Sequence, residues 1–195
     1  LLMFDNPRDA FAIAESMLGY SFNTEDEQEF KNCADLLATQ SPVLQGYVMD
    51  QIFDRMERGE AWAAPYYAGD YLTMVEENPD LGFSHPKEGF NIFIDAMCIP
   101  KGCQNKEGAE AFINFLCRPD ISAANLDYIG YSTPETAAKD YLDEDVTSSP
   151  VSYPDDETLA RSESFAELGV GATQTMNDLW LSVKTSTSNT TLYLV

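Results

Sequence analysis

Asp95 sits in the run Asn91-Ile92-Phe93-Ile94-Asp95-Ala96-Met97-Cys98-Ile99, apolar on either side of it and strand-like. It follows Phe93 by two positions, so an extended chain presents both on one face. An ionised carboxylate in such a strand is costly unless it is paired or faces a polar cavity. A structural ion pair with an Arg or Lys is the competing role. Other chemistries are poorly supplied. His85 is the one histidine and would have to serve any Ser-His or Cys-His arrangement, and no Gly-x-Ser-x-Gly elbow is present. Gly169-Val170-Gly171 lacks the rest of either nucleotide fingerprint. Cys98 and Cys103 flank Ile99-Pro100-Lys101-Gly102, which fits neither a zinc knuckle nor a redox Cys-x-x-Cys pair. Cys33 and Cys117 read as buried small apolar residues on helices. With 33 acids in 195 residues, carboxylate pairs arise by chance and carry no weight as a glycosidase signal. No enzyme activity, metal or cofactor is expected.

The elements that would hold Asp95 follow from caps and periodicity. Asn6 caps a helix with Pro7 in its first turn and Asp9 three residues on; Phe11, Ala14, Met17 and Leu18 recur at helical spacing, and Gly19 ends the run. Thr24 and Glu27 form a capping-box pattern before a second helix carrying Phe30, Ala34 and Leu37, stopped by Pro42. Residues 43–48 suit a short strand, and 50–58 a helix closed by Gly59 with Ile52, Phe53 and Met56 inward. Residues 61–67 and 81–85 read as strands, separated by a break at Gly69-Asp70 and a helix to about Glu77. Residues 91–99 are the most strand-like of all, ended by Pro100. Asn105 caps a helix with Ala109, Phe112, Ile113 and Leu116 on one face. Pro119, Gly130 and Pro134 punctuate two shorter helices, 143–158 reads as a surface connection, and 175–184 as a last helix before a tail over 185–195. Trp62 and Trp180 are assigned to packing, and His85 to a surface loop. Short strands alternating with helices point to an α/β fold with helices over a mostly parallel sheet, whose ligands gather at the carboxyl ends of strands.

Composition narrows the partners. The formal charge is −22, from 11 Lys plus Arg against 33 Asp plus Glu, which argues against nucleic acid and anionic membrane surfaces. A 44% hydrophobic content supports a sizeable core. The opening residues show no signal peptide, and the start at Leu1 reads as that of a fragment.

Four motifs succeed one another downstream: Pro86-Lys87-Glu88-Gly89 running into Asp95 and on to Ile99-Pro100-Lys101; Asn105-Lys106-Glu107-Gly108-Ala109; Asn114-Phe115-Leu116-Cys117-Arg118-Pro119-Asp120; and Ile129-Gly130-Tyr131-Ser132-Thr133-Pro134. With Leu2-Met3-Phe4-Asp5-Asn6, Arg8-Asp9, Leu18-Gly19-Tyr20 and Gly59-Glu60, they resemble the extracytoplasmic spermidine/putrescine-binding proteins, the solute receptors of polyamine ABC importers. The resemblance covers residues 2–184. It implies an α/β, type II periplasmic-binding fold of two lobes closing over ligand, of which this chain is the later part. Residues 1–95 and 142–184 would form most of the second lobe, and 96–141 a helical return into the first, with Asp95 at the hinge.

The resemblance also implies roles. Asp95 matches the acid that receives a ligand ammonium, and Phe93 an aromatic, usually Trp, lying along the polyamine. Tyr67 falls where another Trp is common, and Tyr131 matches a Tyr lining the site. Asp9 and Asn6 match two acidic positions at the start of the first helix, Asn6 departing by one charge. Phe165 stands where a Gln often binds an amine. Carboxylates answer ammonium groups through charge-assisted hydrogen bonds, and aromatic faces answer both the cations and the methylenes between them. The implied partners are putrescine or spermidine and an ABC permease, outside the cytoplasm, with an anchor in a preceding segment as one arrangement. Two alternatives remain: an acidic interaction domain that no longer binds ligand and pairs as a domain-swapped homodimer, and a same-fold receptor for ferric iron or an amino acid.

Overall fold

The computed structural model describes residues 1–190. The first half contains β1 (Leu2–Phe4), α1 (Pro7–Leu18), α2 (Glu27–Ala38), β2 (Gly46–Val48), α3 (Ile52–Glu57), α4 (Ala68–Glu77) and β3 (Phe90–Asn91). The second contains α5 (Lys106–Leu116), α6 (Pro119–Ile129), a 3-10 turn (Thr136–Tyr141), α7 (Glu144–Thr147), α8 (Asp156–Leu159), β4 (Ser162–Glu163) and α9 (Val170–Thr190). These divide into two compact units. The first takes in Leu1–Tyr66, His85–Phe93 and the stretch from Glu157; the second takes in Tyr67–Ser84 and Ile94–Asp156.

In the first unit, β1 runs parallel to β2 with Leu2 opposite Gly46 and Phe4 opposite Val48, and β3 runs parallel to β4 with Asn91 opposite Glu163. Helix α1 starts where expected. The Asn6 side-chain oxygen Oδ1 accepts from the Arg8 N–H at 2.9 Å, and Gly19 ends the helix at φ 73°, a left-handed conformation that glycine adopts without a Cβ clash. Asn6→Ala should therefore cost about 1 kcal/mol of stability, read as a lowered urea midpoint. Asp26 rather than Thr24 caps α2, accepting from the Gln28 and Glu29 N–H groups at 2.8 and 3.0 Å. Thr24 acts one step earlier, its hydroxyl accepting from the Asp26 N–H. Helices α1, α2 and α9 pack on one another. Phe11 and Phe30 meet edge to face at 6.0 Å, both wholly buried. A second cluster gathers Leu2, Val48, Ile52 and Ala61, with Phe53, Met56 and Tyr66 against it.

Several expectations are corrected. The inward face of α1 is Ala10, Phe11, Ala14 and Glu15, while Met17 and Leu18 are exposed. Residues 61–67 form no strand; the Ala63 carbonyl accepts one bond, from the Leu2 N–H at 2.9 Å, and Trp62 is 97% exposed rather than packed. Residues 81–85 form no strand, and of 91–99 only Asn91 is in one. After Ile92, whose N–H donates to the Glu163 carbonyl, that segment has no neighbouring strand among the described residues, and β-branched residues alone do not make a ladder. Helix α9 extends beyond 175–184 in both directions, so 185–190 are helical; 191–195 of the expected tail lie outside the described residues. Trp180 packs as expected, edge to face on Tyr47.

In the second unit, α4 begins at Ala68 and includes Gly69 and Asp70, where a break was expected. Asn105 caps α5 by accepting from the Gly108 N–H at 3.0 Å. No residue of α5 is buried, and Phe112 on its apolar face is 60% exposed. Cys33 is buried on α2, but Cys117, just past α5, is exposed. The expected surface connection over 143–158 contains the short α7 and the start of α8. Helix α6 ends at Gly130 (φ 76°), and its Ala123 and Leu126 are buried, as is Ala138 of the 3-10 turn it packs against.

Candidate functional site

The six residues singled out above divide evenly between the units: Asn6, Asp9 and Phe93 in the first, Tyr67, Asp95 and Tyr131 in the second.

In the first unit all three follow carboxyl ends of parallel strands. Asn6 and Asp9 come just after β1, in the cap and first turn of α1, and Phe93 comes two residues after β3. The Asn6 side-chain oxygen already accepts the cap bond, so its other lone pair is what it can offer a cation. Asp9 is half-buried and Phe93 is 43% exposed.

Arg8 ties this end of the unit together, a role that the sequence reading did not assign. Its Nη2 donates to the Asn23 side-chain oxygen at 2.8 Å and to the Ala166 carbonyl at 3.1 Å. Its guanidinium carbon stands 4.6 Å from the centre of the Phe165 ring, which also meets Phe22 edge to face. The ring at 165 thus already holds a cation from within the protein. Glu163 accepts from the Ser21 hydroxyl, the Phe22 N–H and the Asn23 side-chain amide. Burial alone would raise the Glu163 pKa; these three bonds and the Arg8 charge outweigh it and hold the carboxyl below its ordinary range. The position of Arg8 beside a predicted cap was the available signal.

In the second unit, Tyr67 is the residue from which α4 starts, and the Tyr131 ring lies directly on Gly69. A Cβ at Gly69 would come within 2.2 Å of that ring, so Tyr131 reaches the first turn of α4, two residues after Tyr67, because position 69 has no side chain. Gly69→Ala should lower the melting temperature despite alanine's better helix propensity, whereas in a Tyr131→Ala background it should be neutral or stabilising. A loss of equal size in both backgrounds would show that the ring contact is not the cause. Asp95 lies in an exposed stretch without regular structure, and among the described residues no basic side chain forms an ion pair with it. The described residues contain no metal-suited cluster of His, Cys, Asp and Glu.

Comparison with known proteins gives a consistent picture. Residues 2–154 match the family model of the bacterial extracellular solute-binding proteins. The spermidine/putrescine-binding periplasmic protein of Escherichia coli is 32% identical over 172 residues, 88% of this chain and 49% of that protein. Among solved structures, the spermidine/putrescine ABC transporter substrate-binding protein of Streptococcus pneumoniae superposes with a TM-score of 0.85 at 32% identity, covering 95% of this chain and 58% of that one. A lipoprotein of Treponema pallidum superposes with a TM-score of 0.80 at 27% identity, covering 93% and 56%. The chain thus spans about half the length of the curated relatives it matches. Its fold class is that of these α/β binding proteins, and the relatives are named as binding proteins rather than enzymes.

Proposed function

Since the chain belongs to the bacterial extracellular solute-binding proteins, we propose that the polypeptide carrying it captures putrescine or spermidine outside the cytoplasm and delivers it to an ABC permease. The observation that carries this reading is the 32% identity to spermidine/putrescine-binding proteins across 88% of the chain. The chemistry agrees with it. Asp95 supplies a carboxylate for one ammonium group, and Asp9, with the Asn6 side-chain oxygen, answers a second. Phe93, Tyr67 and Tyr131 supply ring faces for the cations and the methylene chain between them. In this reading residues 1–95 and 142–184 belong to one lobe, 96–141 return to the other, and the polyamine lies in the cleft between lobes.

Isothermal titration of the natural polypeptide with putrescine and spermidine tests the reading. Saturable heat with at least one of them is expected; no heat with either removes the proposal.

A second reading is favoured by the exposed aromatic face of α5, Phe112 and Phe115. In it the chain pairs with a second copy through that face. Scattering at increasing concentration separates the two, because a polyamine receptor need not dimerise.

A further inference from the structure

Among the described residues, Glu15 is the one charged-type side chain in the buried core, at 0% exposure. It lies on the inward face of α1, against α2. Neither of its carboxyl oxygens has a hydrogen-bond partner, and the Nη1 of Arg8, two turns back on the same helix, is also buried without one. The same Arg8 uses its Nη2 to hold Asn23 and the Ala166 carbonyl. An ionised carboxylate cannot stay in such a place without a partner, and a neutral one can. We propose that Glu15 and Arg8 form a proton-controlled latch: with Glu15 neutral, Arg8 reaches outward to hold Asn23 and residue 166, and ionised Glu15 draws the guanidinium inward and releases them.

The surroundings favour the neutral form. Burial raises the Glu15 pKa to about 8, helped by Glu163 and Glu29, and Arg8 opposes the rise. Of the titratable groups on α1 and on the elements that meet it, α1 itself brings Arg8 and Asp9, and α2 brings Glu29 and the buried Cys33 thiol, which is pushed up to about 12. Tyr20 follows α1, and its hydroxyl accepts from Asn32. Beyond β1, Asp5 pairs with Lys184 of α9, and Asp178 of α9 accepts from Gln174. Strand β4 brings Glu163, and β3 is approached by His85, its ring tilted at 38° to that of Phe90. None of these supplies Glu15 with a hydrogen bond.

The sign of the pH dependence follows. Unfolded Glu15 ionises near 4.5 and folded Glu15 near 8, so the folding equilibrium constant falls about tenfold per pH unit between those values and levels off above them. Glu163, held below its ordinary range, acts on stability only at and below pH 4.5 and stays out of that window. Urea unfolding of the ligand-free natural polypeptide from pH 5 to 9 should show the fall, and Glu15→Gln should flatten it. In the unmodified chain, the NMR signals of the Asn23 side-chain amide should shift with the titration of Glu15, and in Glu15→Gln they should not. Parallel stability profiles for the two proteins, or Asn23 signals that ignore the titration, overturn the latch. If Glu15→Gln fails to fold, the Glu15 carboxyl carbon decides: a carboxylic-acid signal at pH 6.5 supports the latch, and a carboxylate signal overturns it. The experiment uses no polyamine, so its outcome is independent of the proposed ligand.

Discussion

Replacing Asp95 by Asn is expected to weaken binding of putrescine and of spermidine by about ten- to a hundredfold, measured by calorimetry on the natural polypeptide. That range is the roughly 1.5–3 kcal/mol typical of a hydrogen bond to a charged group, converted to affinity. Asn keeps the shape and one acceptor oxygen but removes the negative charge, so the variant isolates the charge-assisted part of the contact. Asp95 stands in an exposed, unladdered stretch, so the substitution should leave the melting temperature within the small range of surface changes. Unchanged affinity with a folded variant would show that the ammonium is received elsewhere. Phe93→Ala should cost less, since a cation over an exposed ring is worth about 0.5–1 kcal/mol. A loss at Phe93 larger than that at Asp95 would assign recognition to the ring rather than to the acid.

Phe30→Ala is expected to cost about 3–5 kcal/mol of stability, read as a lowered urea midpoint with an unchanged slope. Phe30 is wholly buried on α2, and its ring meets the equally buried Phe11 of α1 edge to face at 6.0 Å. Helix α9 packs on both α1 and α2, which limits how far the site can collapse around the missing ring. A cavity left open costs more than the lost transfer energy alone, and that places this substitution near the upper end for a single change. A loss below about 1 kcal/mol would mean that the three-helix contact is looser than its packing indicates. Phe112→Ala on α5 is the control: it is 60% exposed, so its cost should stay within about 0.5 kcal/mol.

Read one residue at a time, the chain was informative where the signal is local. Asn6, Gly19, Asn105, Pro119 and Gly130 bound helices where their cap and turn chemistry required. The parallel α/β class and the family were legible too, the family from an ordered series of motifs rather than from any one of them. Misreadings arose where a short-range signal was asked a long-range question. Residues 92–99 carry strand-forming side chains, yet a strand exists only where a neighbour supplies the ladder, and past Ile92 no described residue does. The stripe on α5 identified residues that share a face and could not say whether anything covers it. Trp62 looked like core by residue type and is exposed.

Glu15 shows the same division from the other side. Its spacing four residues after Phe11 already put it in phase with the apolar stripe, but only the packing of α2 against α1 makes it a carboxyl without water. Arg8 was legible as a residue beside a cap; the approach of Asn23, Phe165 and residue 166, each distant in sequence, made it a clasp. Caps, turns and helical phase are decided within a few bonds of the chain, so they are written in sequence order. Burial, and with it the protonation of Glu15 and the pairing of strands, depends on which distant segments exclude water, and that is decided only when the tertiary structure forms.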